Sequence, residues 1–199
     1  GIEYVELRSL DLDPWAATGI NEVSMLFLEA YMLQALLAPS EPISADEQIH
    51  IDENLLTVVR RGRDTGVHLI RDGEPVALLH WAGQLLDRID AVCELLDGDE
   101  GGERYRDALR AQRVKVEDSA STPSARVLRE MRDRGESFFE FAMRSSEERR
   151  AECLKRPLPD ERFAAMRESA EQSLAKEASL VAGDEVDFDE YLRLYFAQA

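Results

Sequence analysis

Glu6 and Arg8 are the two side chains whose types and spacing most plainly suit chemistry. They sit in the run Gly1-Ile2-Glu3-Tyr4-Val5-Glu6-Leu7-Arg8-Ser9-Leu10-Asp11, which reads as a β-strand. Alternation places Ile2, Tyr4, Glu6 and Arg8 on one face and Glu3, Val5, Leu7 and Ser9 on the other. A carboxylate and a guanidinium then share a face, about 6.5–7 Å apart along the backbone. There the carboxylate can bind a hard cation and the arginine fork can grip phosphate oxygens. The plainer reading is an ion pair on an exposed strand, worth under about 1 kcal/mol. A lone strand is not stable, and no Met precedes this one. The expectation is therefore the C-terminal part of something larger, cut at a strand of a sheet whose other strands lie elsewhere.

The remaining candidates are weaker. Asp11 and Asp13 could bind a cation, but loop capping next to Pro14 is the better account of them. His50, His68 and His80 stand apart from one another, as surface or core histidines do. Arg126 and Arg129 could touch a nucleotide, whereas most helix arginines make solvated ion pairs. Phe138, Phe139 and Phe141 read as core. Cys93 and Cys153 show no metal-ligand spacing and read as reduced cytosolic thiols in the core.

These residues need a scaffold, and 199 residues suffice for one good-sized domain. The net charge is −17, from 24 Lys+Arg against 41 Asp+Glu. That argues against an exposed nucleic-acid or anionic-membrane surface. It leaves room for a small phosphate ligand, which needs only one local cationic pocket. No signal peptide and no apolar run long enough for a bilayer is visible.

The pattern is mostly helical. After the strand (1–9), Pro14 punctuates a loop, and two helices fill 21–64. The first, capped by Asn21, runs from about Glu22 to Ala38 and is apolar nearly all round, so it reads as buried. The second, from Ala45 to Arg63, opens on a capping box of Ser44 and Glu47 and turns Ile49, Leu55, Leu56, Val58 and Val59 toward the core. Residues 67–78 predict a β-hairpin about Asp72-Gly73, with Pro75 on an edge. The stretch 79–199 predicts a helical body, with helices over 79–96, from Gly101-Gly102 to about Val116, and over 124–134, 137–154 and 161–180, and a short last helix capped by Asp187 or Asp189. Asp97-Gly98 reads as the stop of the first of these.

The stretch from Ile2 to Asp11, followed by Asp13-Pro14, resembles the corresponding stretch of bacterial glutamate–cysteine ligase of the gamma-proteobacterial type. Arg61-Gly62-Arg63 with Gly66 is similar to that family's helix exit before a hairpin. Ser124-Ala125-Arg126-Val127-Leu128-Arg129-Glu130-Met131 is similar to its Ser-Ala-Arg helix. The resemblance covers essentially this whole chain, and only the C-terminal two-fifths or so of a family member.

It implies the C-terminal helical portion of a glutamine-synthetase-like α+β ligase, mainly α with a few short strands, whose first strand joins a larger antiparallel sheet. It implies a cytoplasmic enzyme with ATP and Mg²⁺ as cofactors and L-glutamate and L-cysteine as substrates, giving γ-glutamylcysteine, ADP and phosphate in the first step of glutathione biosynthesis. It implies Glu6 as a metal ligand and Arg8 as the catalytic, nucleotide-facing cation. The missing N-terminal portion is then the expected partner, with no nucleic acid or membrane, and the segment alone is expected to be inactive. The rival reading is a non-catalytic acidic helical scaffold or interaction module, in which Glu6 and Arg8 are a surface pair.

Overall fold

The computed structural model describes residues 3–8, 10–183 and 186–197, with the backbone alone at 99 and 100. Gly1, Ile2 and Ser9 of the expected strand lie outside the described residues. Among the described residues eight helices and a two-stranded sheet follow one another: α1 (Glu22–Leu37), α2 (Ala45–Arg61), β1 (His68–Arg71), β2 (Glu74–Ala77), α3 (Leu78–Glu100), α4 (Arg104–Glu117), α5 (Pro123–Arg134), α6 (Phe138–Leu154), α7 (Asp160–Ala182) and α8 (Phe188–Phe196). A 3₁₀ turn, Ser119–Ser121, joins α4 to α5. The chain forms two compact units, residues 1–151 and 152–199.

The caps follow the sequence. The Asn21 side chain accepts the Ser24 N–H, Ser44 accepts that of Glu47, and Asp187 accepts that of Glu190. The hairpin is antiparallel, with His68 opposite Ala77 and Arg71 opposite Glu74. Its turn puts both Asp72 and Gly73 at positive φ, 54° and 79°, as a tight two-residue turn of right-handed twist requires. Asn54 of α2 donates to the Ile70 carbonyl at 2.6 Å and accepts the Ile70 N–H at 2.8 Å. That side chain thus satisfies the outer edge of β1 as a neighbouring strand would.

The first unit is organised by α1, α3 and α4. Ala30, Leu86, Ile89, Val92, Cys93, Tyr105 and Leu109 form its core, flanked by Phe27 and Tyr31. Helix α3 does not stop at Asp97-Gly98 but continues to Glu100, where Gly101 turns at φ 73°. The buried Asp97 carboxylate explains the difference. It accepts the N–H groups of Tyr105 and Arg106 and the Arg106 Nε, at 2.9, 3.0 and 3.2 Å. It therefore caps α4 from the preceding helix, a position that Glu103 leaves without a side-chain cap.

Three core expectations are corrected. Of α1 only Ala30 is fully buried, while Val23, Met25, Leu36 and Leu37 face solvent. Helix α2 buries nothing completely, and its Ile49, Leu55, Leu56, Val58 and Val59 are exposed. Of the three phenylalanines only Phe141 is buried. The physical reason is the same in each case: within residues 1–151 the other described elements cover one side of these helices and leave the other bare.

Cys153 is also exposed, whereas Cys93 is buried. Burial pushes the Cys93 thiol up to about 11, and the carboxylates of Asp90 and Asp97 add to the effect. Thiolate is the reactive form. A folded sample treated with a thiol reagent should therefore label one cysteine quickly, Cys153, and the second only on denaturation. Two fast-reacting thiols would contradict the closed α1–α3–α4 core.

Candidate functional site

The head of the chain is held by Trp15. Asp13 Oδ1 accepts the Trp15 N–H at 2.9 Å, and its other oxygen accepts from Asn21 Nδ2 at 2.7 Å. Asp13 is thus a loop cap, with both oxygens occupied. The Trp15 ring lies under the Arg126 guanidinium, 3.7 Å from the ring centroid, and edge-on to Phe141. Its Nε1 donates to Glu130 at 3.2 Å, and Arg149 donates to its carbonyl at 3.1 Å. Glu130 and Glu136 in turn accept from Arg144, at 2.9 and 2.7 Å, and the Arg144 guanidinium holds the Glu136 carboxyl below its ordinary range. This cluster fixes the loop from which residues 3–8 emerge.

Glu6 and Arg8 do meet. Arg8 Nη2 donates to Glu6 Oε2 at 2.9 Å, with the two side chains 83% and 52% exposed. Residues 3–8 form no ladder, since no described strand lies beside them. As a metal site this end is incomplete. Among the described residues no group of three or more His, Cys, Asp or Glu side chains could hold an ion. Glu6 supplies one hard oxygen ligand, and Mg²⁺ requires several oxygens around it. The carboxylate suits a hard ion in kind, and the described residues place no such ligand group around it. His68 and His80 face a backbone carbonyl and Gln84, respectively.

A second feature escaped the residue-by-residue reading. A cavity of about 670 Å³ opens between the end of α2, the 3₁₀ turn and the start of α5. Arginines from both sides line it, with Arg61 and Arg63 facing Arg129 and Arg132. They are some seventy positions apart in sequence, so composition cannot show the pairing. The Arg61-Gly62-Arg63 and Ser-Ala-Arg segments, noted separately, are the two walls. Arg126 is not among the lining residues, being stacked on Trp15.

Residues 1–58 match the family model described as glutamate-cysteine ligase. The chain is 42% identical over 197 residues to the glutamate–cysteine ligase of Azotobacter vinelandii and 40% identical to that of Pseudomonas putida. Each match covers 99% of this chain, and 37% and 38% of the respective relative. A crystal structure of the glutamate–cysteine ligase of Francisella tularensis in complex with AMP superposes with a TM-score of 0.81 at 30% identity, over 96% of this chain and 38% of that one. The chain thus spans a little over a third of the length of the relatives it matches. Among the described residues no helix is long and apolar enough to cross a membrane. The chain is thus similar to glutamate–cysteine ligases along nearly its whole length, and each match takes in only part of the relative.

Proposed function

We infer that the chain is the C-terminal portion of a cytoplasmic ATP- and Mg²⁺-dependent ligase that joins the γ-carboxylate of L-glutamate to the amine of L-cysteine. The observation that carries this is the identity of 40–42% along 99% of the chain to glutamate–cysteine ligases. The AMP in the Francisella neighbour supports a nucleotide as co-substrate. The uncovered apolar faces of α1 and α2 support a missing N-terminal portion as their cover, since exposed apolar patches of this kind mark contact surfaces.

Within that reading Glu6 and Arg8 exchange partners. Alone, they satisfy each other. In the complete site the Glu6 carboxylate would be one ligand of a Mg²⁺ ion, and that ion would supply neutralisation of phosphate charge. Arg8 then places two parallel N–H donors on the transferring phosphoryl group. The glutamate γ-carboxylate oxygen attacks the γ-phosphorus and ADP leaves. The cysteine amine then attacks the acyl carbon, phosphate departs, and the amine loses its proton. Arg8 contributes most where charge is greatest, during phosphoryl transfer.

The 199-residue chain supplied with ATP, Mg²⁺, glutamate and cysteine should release no phosphate above background, because most metal and substrate ligands are absent from it. Turnover near about 10 s⁻¹, an ordinary enzymatic rate, would place the catalytic residues elsewhere in this chain. The longer protein that carries the segment should form γ-glutamylcysteine, identified by mass spectrometry, only with all four components present. No product from it would sink the ligase reading and leave the helical scaffold.

A further inference from the structure

We propose that the cleft between α2 and α5 is a binding site for a small organic phosphate. The first observation is the charge. Arg60, Arg61, Arg63, Arg129 and Arg132 line the cavity, and Asp64 is the one carboxylate among its described lining residues. This gathering occurs in a chain of net charge −17, whose overall field repels anions, so the cleft is a local inversion of sign.

The second observation is that the arginines are unspent. Among the described residues, Arg61 alone of these five has an ion-pair partner, Asp64 at 3.2 Å. Arg129 and Arg132 reach only backbone carbonyls, of Ala120 at 3.4 Å and Leu128 at 3.1 Å. Elsewhere Arg144 is paired with three carboxylates. The cleft therefore keeps guanidinium donors for a guest. Their planar forks match phosphate oxygens two at a time.

The third observation is the wall between them. Thr122, the N-cap of α5, makes no side-chain cap, its hydroxyl donating to the Ser119 carbonyl instead. Ser124 and Ala125, whose first-turn amides that cap would serve, also line the cavity. Uncapped amides at a helix start are a further anion donor set. The volume of about 670 Å³ lies in the range of small-molecule sites.

An adjoining hollow of about 560 Å³ shares Arg63 and Arg132 and adds Leu128, Met131, Gly135 and Glu136, the last a carboxylate already held by Arg144. It offers an apolar seat beside the cationic one, so the ligand class is a phosphate head with an organic body. Neither Glu6 nor Arg8 lines either space. The proposal therefore stands whether or not the ligase reading holds.

Pyrophosphate is the probe for the head group, titrated calorimetrically into the metal-free 199-residue chain at 0.15 M KCl, where diffuse charge attraction is largely screened. One saturable site is expected, with citrate binding at least tenfold more weakly. The variant Arg129→Gln/Arg132→Gln should weaken pyrophosphate at least tenfold. The variant Arg129→Lys/Arg132→Lys, which keeps charge but loses the forks, should fall between it and the parent. Arg167→Gln/Arg193→Gln, in residues 152–199, should change nothing. The Ser124 and Ala125 amide resonances should move on titration. Non-saturating heat, equal affinity for citrate, or unchanged binding in the Arg129→Gln/Arg132→Gln variant would each overturn the proposal. The four substituted side chains are exposed and partnered only by carbonyls or surface carboxylates, and matching helical circular dichroism would confirm that each variant folds.

Discussion

On the ligase reading, Arg8→Lys in the longer protein that carries the segment is expected to lower kcat by on the order of a hundred- to a thousandfold. That is the cost of removing a preorganised donor that contributes mainly in the transition state. Lysine keeps the charge but offers no planar two-donor fork. Glu6→Gln keeps the shape and removes the charge, so the rate should fall at low magnesium and recover in part at high magnesium. Excess magnesium should not rescue Arg8→Lys, because that variant lacks a phosphate contact rather than an ion. The contrasting expectation comes from the geometry in this chain alone. There the two side chains form a 2.9 Å pair that is largely exposed to solvent, and breaking such a pair changes little. A magnesium titration of kcat for both variants therefore separates the readings by orders of magnitude. Wild-type rates for both, at low and high magnesium, would return Glu6 and Arg8 to an ordinary surface pair.

The parts of this fold that were legible in sequence are those decided locally. Asp72-Gly73 specifies its turn because two adjacent positive-φ positions tolerate few other residues. Asn21 and Ser44 announce helix starts because their side chains bond amides only a few residues away. Glu6 and Arg8 were legible as neighbours for the same reason, two residues apart on an extended backbone.

What failed depended on partners distant in sequence or outside the chain. Asp97-Gly98 looked like a helix stop, yet Asp97 is a buried acceptor for the next helix, and that relation appears only once α3 and α4 are packed. Val59 and Leu55 looked like core because they are apolar, but burial requires a neighbour, and α2 has one on one side only. The arginine cleft was invisible because neither Arg61-Gly62-Arg63 nor the α5 arginines form a cationic cluster alone. The strand over 1–9 is a different case: it is read from its alternation, and its described residues 3–8 have no second strand beside them to make a ladder.

Asp97→Ala should be the most damaging substitution for stability in the first unit, costing about 2–4 kcal/mol. The estimate combines a lost helix cap with two amides, those of Tyr105 and Arg106, left without their acceptor. Arg106 is less of a concern, since its partly exposed guanidinium can turn to water. Asp97→Asn should cost less, because its carbonyl oxygen still accepts one of the two N–H groups. Burial alone would raise the Asp97 pKa. The Tyr105 and Arg106 amides and the Arg106 guanidinium outweigh it and hold the carboxyl below its ordinary range. The folded state then binds fewer protons than the unfolded one just below the unfolded value, about 3.9. Stability from this group is complete above that pH and is lost as the pH falls through the folded pKa. Asp97→Asn has no such proton to bind, so its deficit against the parent should shrink as the pH drops from 5 to 3. Urea unfolding followed by tryptophan fluorescence can measure this, since both tryptophans, Trp15 and Trp81, belong to residues 1–151. A deficit for Asp97→Asn that is equal at pH 5 and pH 3 would show that the carboxylate charge has no part in holding α4 against α3. A negligible effect of Asp97→Ala would show that α4 is anchored by Tyr105 and Leu109 packing alone.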